Sequence, residues 1–177
     1  MYTIKEARTT ATSRWFHSLE GHNRFVNELH KHVDQEEPYR WRNIPELIYK
    51  DEQGKATFKD VTRRVLFGEA HGQGMEVRYF EVEAGGHTTL EKHEHTHLVI
   101  PIRGRGAALV EDQVVRLTMH DLVYVPSWAW HQFRADDDSE LGFLCMVKVE
   151  RDRPTLPTSE ELEMLRHNAA VADFIRV

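Results

Sequence analysis

Between residues 58 and 150 the chain is cut into eight short apolar segments, at 61–67, 75–83, 98–102, 107–110, 114–117, 121–125, 131–134 and 141–149. None reaches the ten to twelve residues that an ordinary helix needs, and several alternate apolar with polar positions as half-buried strands do. The breaks between them are turn signals: Gly72-Gln73-Gly74, Ala84-Gly85-Gly86, Gly104-Arg105-Gly106, Glu111-Asp112 and Asp136-Asp137-Asp138-Ser139. Glycine supplies the positive φ that tight turns use, and aspartate and serine bond their own backbone there. Short, evenly spaced strands without helical segments between them predict an all-β sandwich or barrel rather than a parallel α/β sheet.

The flanks read differently. Over 13–34 apolar residues recur at Phe16, Leu19, Val26, Leu29 and Val33, with Asn23 and Lys31 on the other face, which predicts an amphipathic helix. Pro38 disfavours helix at Glu37 and ends it. Residues 39–50 hold three aromatics and Pro45 and read as an extended segment packed on the main body, closed by a turn at Asp51-Glu52-Gln53-Gly54. After Pro154 and Pro157, Thr158-Ser159-Glu160-Glu161 offers a capping box, and Leu162, Leu165 and Ala169 continue one helical face. The expected organisation is a helical and extended segment over 1–57, a barrel over 58–150 and a tail with a helix over 151–177, with no internal repeat.

Composition excludes several functions. At 177 residues the chain can bury about 70% of its unfolded surface, enough for one substantial core. No apolar run is long enough to span a membrane, and MYTIKEARTT carries charges where a secretory signal needs its apolar core. A single cysteine, Cys145, excludes an internal disulfide and fits a reducing compartment, so a cytoplasmic location is expected. Cys145 itself reads as a small buried hydrophobe in the final strand. A net charge of −6 argues against nucleic acid as partner and leaves a small-molecule substrate as the expectation.

Twelve histidines are the unusual number. Over 85–106 the sequence is GGHTTLEKHEHTHLVIPIRGRG, and Glu91, His93, His95 and His97 share sequence parity, so an extended strand would point all four to one face. Carboxylate and imidazole suit Fe(II), Mn(II), Ni(II) and Zn(II). Any one of these residues alone reads as a solvated strand end. Four in alternation before an apolar strand favour a metal site, although periodicity does not select which of them bind. A second segment, 120–134, reads as strand, proline turn, strand, and carries His131.

Together the two segments resemble the cupin superfamily, in its small conserved-barrel form. The family's first motif, G(X)5HXH(X)3–4E(X)6G, fits in spacing from Gly85 through Glu91, His93 and His97 to Gly104, with glutamate and histidine exchanged at the outer ligand positions. The second, G(X)5PXG(X)2H(X)3N, matches at Pro126 and His131, while His120, Trp128 and Ala135 replace the two glycines and the asparagine. The resemblance implies a double-stranded β-helix, or jelly-roll barrel, with an N-terminal helical extension and a short C-terminal helix. It implies one divalent metal, Fe or Mn before Ni or Zn, held by Glu91, His93, His97 and His131. His95 falls in the gap between ligands, as a proton donor or acceptor near the mouth. Four ligands leave two positions open on an octahedral ion, and the activity this favours is a dioxygenase on a small oxygenated molecule. A redox-neutral isomerase or lyase, or a binding module without turnover, are the alternatives. Parity nominates Val99 and Pro101 beside His97, and Phe133 beside His131, as pocket neighbours, with Tyr79 and Trp128 near them. Pro101 within a strand suggests an edge, a bulge or a locally opened barrel. Arg78, Arg103 and Arg105 read first as surface arginines, with a hold on a substrate carboxylate as the alternative. Small cupins often pair, so a homodimer is expected, with the segment near Tyr39 and Ile48 buried between subunits or across the barrel.

Overall fold

The structure, a computed structural model, describes residues 32–50 and 57–177. The helix expected over 13–34 and the turn at 51–54 lie outside the described residues, apart from 32–34, which are not helical. Eleven strands follow in the order β1 (Gln35–Glu37), β2 (Arg40–Trp41), β3 (Leu47–Ile48), β4 (Lys59–Phe67), β5 (Met75–His87), β6 (His97–Gly104), β7 (Gly106–Val110), β8 (Gln113–Leu117), β9 (Val123–Val125), β10 (His131–Ala135) and β11 (Leu141–Lys148). Two helices end the chain, α1 (Ser159–Arg166) and α2 (Ala169–Phe174). The fold is mostly β, a curled antiparallel sheet, as the spacing of turns predicts.

The sheet runs β8-β7-β10-β5-β11-β6-β9, with β4 also on β5 and β3 on β4. The long β5 is its pivot. Its first eight residues pair with β11, and its last, His87, pairs with Arg134 of β10. One strand therefore belongs to both walls, and the sheet curls around an interior. Alternation along each strand decides what fills it. Val61, Phe80, Val82, Val99, Phe133, Leu141, Phe143, Cys145 and Val147 all face inward and are buried in one cluster. Phe143 stacks on Phe80 at 5.3 Å and on Phe133 at 4.8 Å. The proline expected to disturb β6 does so: the register between β6 and β11 slips between Gly142 and Phe143, where Phe143 faces Pro101.

The outer face of β5 carries the residues of opposite parity. There Glu81 accepts two 2.8 Å hydrogen bonds from the Arg40 guanidinium, one from the Tyr79 hydroxyl at 2.9 Å and one from Arg103 at 3.0 Å. Tyr39 stacks on Tyr79 with centroids 5.8 Å apart. The extended segment read from the sequence thus lies across the outside of its own barrel.

At the C-terminal end, the Thr158 hydroxyl accepts from the Glu161 N–H while Glu161 accepts from the Thr158 N–H, so the capping box starts α1 as expected. The helical face does not run on through Ala169. Asn168 interrupts it, its side chain accepting from the Ala170 N–H to cap a separate α2. Val171, Phe174 and Ile175 then pack on Leu90, Ala107 and Leu109 outside the barrel. Burying each such side chain stabilises by about 1.5–3 kcal/mol. Gln132, fully buried, ties this end down by donating to the Arg176 carbonyl and accepting from the Arg176 N–H. Among the described residues no helix is long and apolar enough to cross a membrane.

Backbone conformation links the fold to the motif spacing. Gly85 and Gly104 sit at φ +70 and +66. His120 and Trp128, which stand where the cupin motif has glycines, keep the left-handed conformation at φ +72 and +62. The turns survive the loss of the residue type that favours them.

Candidate metal centre

A pair of backbone hydrogen bonds brings the two histidine segments together. The Glu91 N–H donates to the His131 carbonyl at 3.2 Å, and the His131 N–H donates back to Glu91 at 3.0 Å. The Trp128 N–H, in the loop before β10, donates to the His93 carbonyl at 2.7 Å. His97 opens β6 and His131 opens β10, so both stand where regular strand begins. The stretch from Glu91 to Glu94 is loop with isolated bridges, and therefore strand parity does not govern where His93 and His95 point.

The imidazoles of His93, His97 and His131 converge, each offering one nitrogen, with all three within 4.8 Å of one another. Their tautomers follow from their partners. Nδ1 of His93 lies 2.7 Å from the His95 carbonyl, and Nδ1 of His131 lies 3.0 Å from the Ala129 carbonyl. A carbonyl only accepts, so in each ring Nδ1 carries the hydrogen and Nε2 is left as a lone pair. His93 Nε2 and His97 Nε2 stand 2.8 Å apart. Two lone pairs at that distance repel unless a proton or a cation lies between them. Burial, with the neighbouring His131 and His95, pushes His93 down to about 3. Burial also lowers His97 and His131. All three rings are therefore neutral at physiological pH, the form in which imidazole binds metal. The set fits a divalent ion in donor type and convergence, and in tautomer at His93 and His131.

Glu91 is buried beside them in the cavity wall, outside that group of nitrogen atoms. Its carboxylate forms an ion pair with Lys50, and its Oε1 accepts from the Tyr49 hydroxyl at 3.4 Å. The His95 ring stacks on His93 at 3.5 Å, and its Nδ1 lies 2.6 Å from Asp152. Asp152 also accepts from the N–H groups of Glu94 and His95. Burial would raise its carboxyl, but these bonds hold it well below the usual carboxylate range. The chain after β11 thus returns to brace the loop between the ligands.

These groups line a cavity of about 530 Å³. Tyr49, Phe80, Phe133 and Phe143 form its apolar wall, and Lys50, Arg63, Arg78, Arg151 and Arg153 bring positive charge to it. Of the pocket neighbours expected from parity, Phe133 lines the cavity. Val99 packs in the core, and Pro101 is buried at the bulge without reaching it. Tyr79 lies on the opposite face of β5, and Trp128 is 54% exposed and serves the site only through its backbone. Arg78, expected on the surface, is 6% exposed inside the barrel.

Cys145 is buried in the final strand as read, but its neighbours are not only apolar. Its sulfur lines the cavity, 3.0 Å from His97 Nδ1 and 3.5 Å from Arg78 Nη2. Burial pushes its thiol up, and the Arg78 charge opposes that. Parity with Phe143 and Val147 was a signal that it faces inward. The register that sets it beside Val99 and Arg78 is fixed only when β5, β6 and β11 pair.

The Cupin domain model matches residues 78–147. A curated relative, 1-methylthio-D-xylulose 5-phosphate methylsulfurylase of Rhodospirillum rubrum, is 53% identical over 137 residues, 77% of this chain and 86% of its own. A cupin 2 conserved barrel domain protein from Rhodopseudomonas palustris superposes with a TM-score of 0.76 at 44% identity, over 82% of this chain and 99% of that one. A cupin-2 domain structure from Rhodospirillum rubrum gives 0.72 at 53% identity, over 77% and 90%.

Proposed function

The chain belongs to the cupin family, and from that premise we propose that it is a metal-dependent enzyme removing the methylthio group from a methylthio-ketose phosphate. The observation that carries this reading is the Cys145 thiol, set in the same cavity as the three convergent imidazoles. The relative's name supplies the substrate class: a ketose phosphate with sulfur on the carbon next to the carbonyl.

In this reading His93, His97 and His131 hold the ion, with Glu91 as the fourth ligand. A divalent ion bound there polarises a ketone oxygen and stabilises negative charge developing on it. Cys145 then attacks the methylthio sulfur as its thiolate. A sulfur–sulfur bond forms and the carbon–sulfur bond breaks, its electron pair passing to the carbon and, by delocalisation, to the ketone oxygen. A proton completes the methyl ketone, and a small-molecule thiol as co-reactant attacks the methylthio sulfur on Cys145, breaking the sulfur–sulfur bond, restoring the Cys145 thiol and carrying the methylthio group away as a mixed methyl disulfide. When His97 Nε2 is a ligand, its proton resides on Nδ1, which faces the sulfur and favours the thiolate. The pathway consumes no dioxygen, in contrast to the dioxygenase expected from the resemblance.

The test is anaerobic. The metal-loaded protein, given 1-methylthio-D-xylulose 5-phosphate and a thiol, should release the methylthio group, and Cys145→Ser should abolish release while retaining metal. Undiminished release by Cys145→Ser would remove the thiol from the mechanism. Turnover that requires dioxygen would restore the dioxygenase reading.

A further inference from the structure

We infer that Arg63 and Arg78 form an anion-binding pole of the cavity, built for the phosphate of a phosphorylated ketose; this rests on the reaction proposed above and assigns residues to the substrate's far end. Register places the two together. Arg63 on β4 stands opposite Phe80 on β5, and Arg78 is two residues before Phe80 on the same face. Two guanidinium side chains therefore rise from neighbouring strands into one interior.

Arg78 lies over the Phe80 ring at 5.1 Å and its Nη2 is 3.5 Å from Cys145 Sγ, but among the described residues neither guanidinium has a carboxylate within hydrogen-bond distance. Arg78 is 6% exposed, and its buried Nε has no hydrogen bond. A carboxylate oxygen of Glu76 stands 4.0 Å from Arg78 Nε and is drawn to Arg151, 2.9 Å away. Arg63 Nε is likewise buried without a partner among the described residues. Burial and the adjacent Arg78 charge push Arg63 below its ordinary value, the signature of two like charges enclosed together.

The acids that line the cavity are already engaged, Glu91 with Lys50 and Asp152 with His95 and two backbone N–H groups. The wall thus carries five cations against two anions, in a chain whose net charge is −6. Enclosing unpaired guanidinium groups beside phenylalanines is unfavourable unless an anion completes the site. Two forked donors match a phosphate dianion, which offers several acceptor oxygens and two charges.

The full-length, metal-loaded protein is tested with inorganic phosphate as probe and with the phosphorylated ketose as substrate. Phosphate should raise the wild-type melting temperature at constant ionic strength, where chloride does not. Arg63→Met and Arg78→Met should each abolish that rise and increase KM for the phosphorylated ketose at least about tenfold, the cost of one charge-assisted pair. Metal content should stay unchanged, and Arg116→Met, outside the cavity, should behave as wild type. Arg63→Lys should recover part of the rise, which a merely structural role would not predict. Absence of any phosphate effect on the wild type would overturn the subsite even if the Met variants fail to fold. Normal KM in folded Met variants would overturn it while leaving the proposed reaction standing. A phosphate effect lost in both variants, with no turnover of the methylthio substrate, would support the subsite and refute the reaction.

Discussion

Glu81 offers a quantitative test of what fastens the 35–48 segment to the barrel. Its carboxylate is 4% exposed and accepts four hydrogen bonds from Arg40, Tyr79 and Arg103. Burial alone would raise its pKa, but these partners hold it at about 2, against an ordinary 4.5. The unfolded chain therefore takes up this proton first as pH falls. Stability from Glu81 is complete above about pH 5 and drains away between about pH 4.5 and 2. Unscreened, the difference in proton affinity amounts to roughly 2 kcal/mol lost on going from pH 6 to pH 3. Arg40 is 37% exposed and Arg103 29%, so solvent screening reduces the expected loss to about 1–1.5 kcal/mol. Urea denaturation at the two pH values, for wild type and Glu81→Gln, isolates this contribution because other acids cancel in the difference. The wild type should lose about 1–1.5 kcal/mol more than the variant. Equal losses in the two proteins would refute the account.

Three further outcomes are expected. Gly104→Ala would place a Cβ 1.7 Å from the Glu140 carbonyl oxygen at φ +66, so it should cost more than about 3 kcal/mol, whereas Gly74→Ala, at φ +64 in open space, should cost about 1–2; thermal melts compare them. His120→Gly relieves a left-handed conformation worth about 1–2 kcal/mol but adds about 0.5–1 of unfolded-state entropy, so urea unfolding should show a change between zero and a slight gain. Alanine at His93, His97 or His131 should lower metal affinity by at least about a hundredfold, read by elemental analysis after dialysis. Glu91→Ala should lower it too, and wild-type occupancy in that variant would exclude Glu91 as a ligand.

Much of the barrel was legible because its signals are local. Alternation over 75–83 and 141–149 and the glycines of 72–74 and 104–106 act within a few residues, and β5, β11 and the turns between strands fall where those signals lie. The break at Asn168 was missed because Leu162, Leu165 and Ala169 share a helical face whether or not the helix is continuous. The site was legible only through spacing. The parity argument for Glu91, His93 and His95 presupposed a strand that the chain does not form before His97. Parity turns Cys145 inward with Phe143 and Val147, but nothing local says what Cys145, Arg63 and Arg78 meet there. Their neighbourhood depends on which strand lies beside which, and in a sheet where β5 touches β4, β10 and β11 that is settled by the whole fold.

The positions of the cavity's parts along the chain have an evolutionary reading. The stretch matching the Cupin domain, 78–147, contains all three convergent histidines, Glu91, Cys145 and Arg78. Lys50, Arg63, Arg151, Asp152 and Arg153 enter the same cavity from outside that stretch. In the proposed reaction the groups nearest the sulfur all lie within that stretch, while the anion pole takes Arg78 from its edge and Arg63 from outside it. Replacing 149–154, or the strand that carries Arg63, would change the charge of the cavity wall without altering the three convergent histidines. Divergence among relatives that share the central stretch is then expected to concentrate at its two margins.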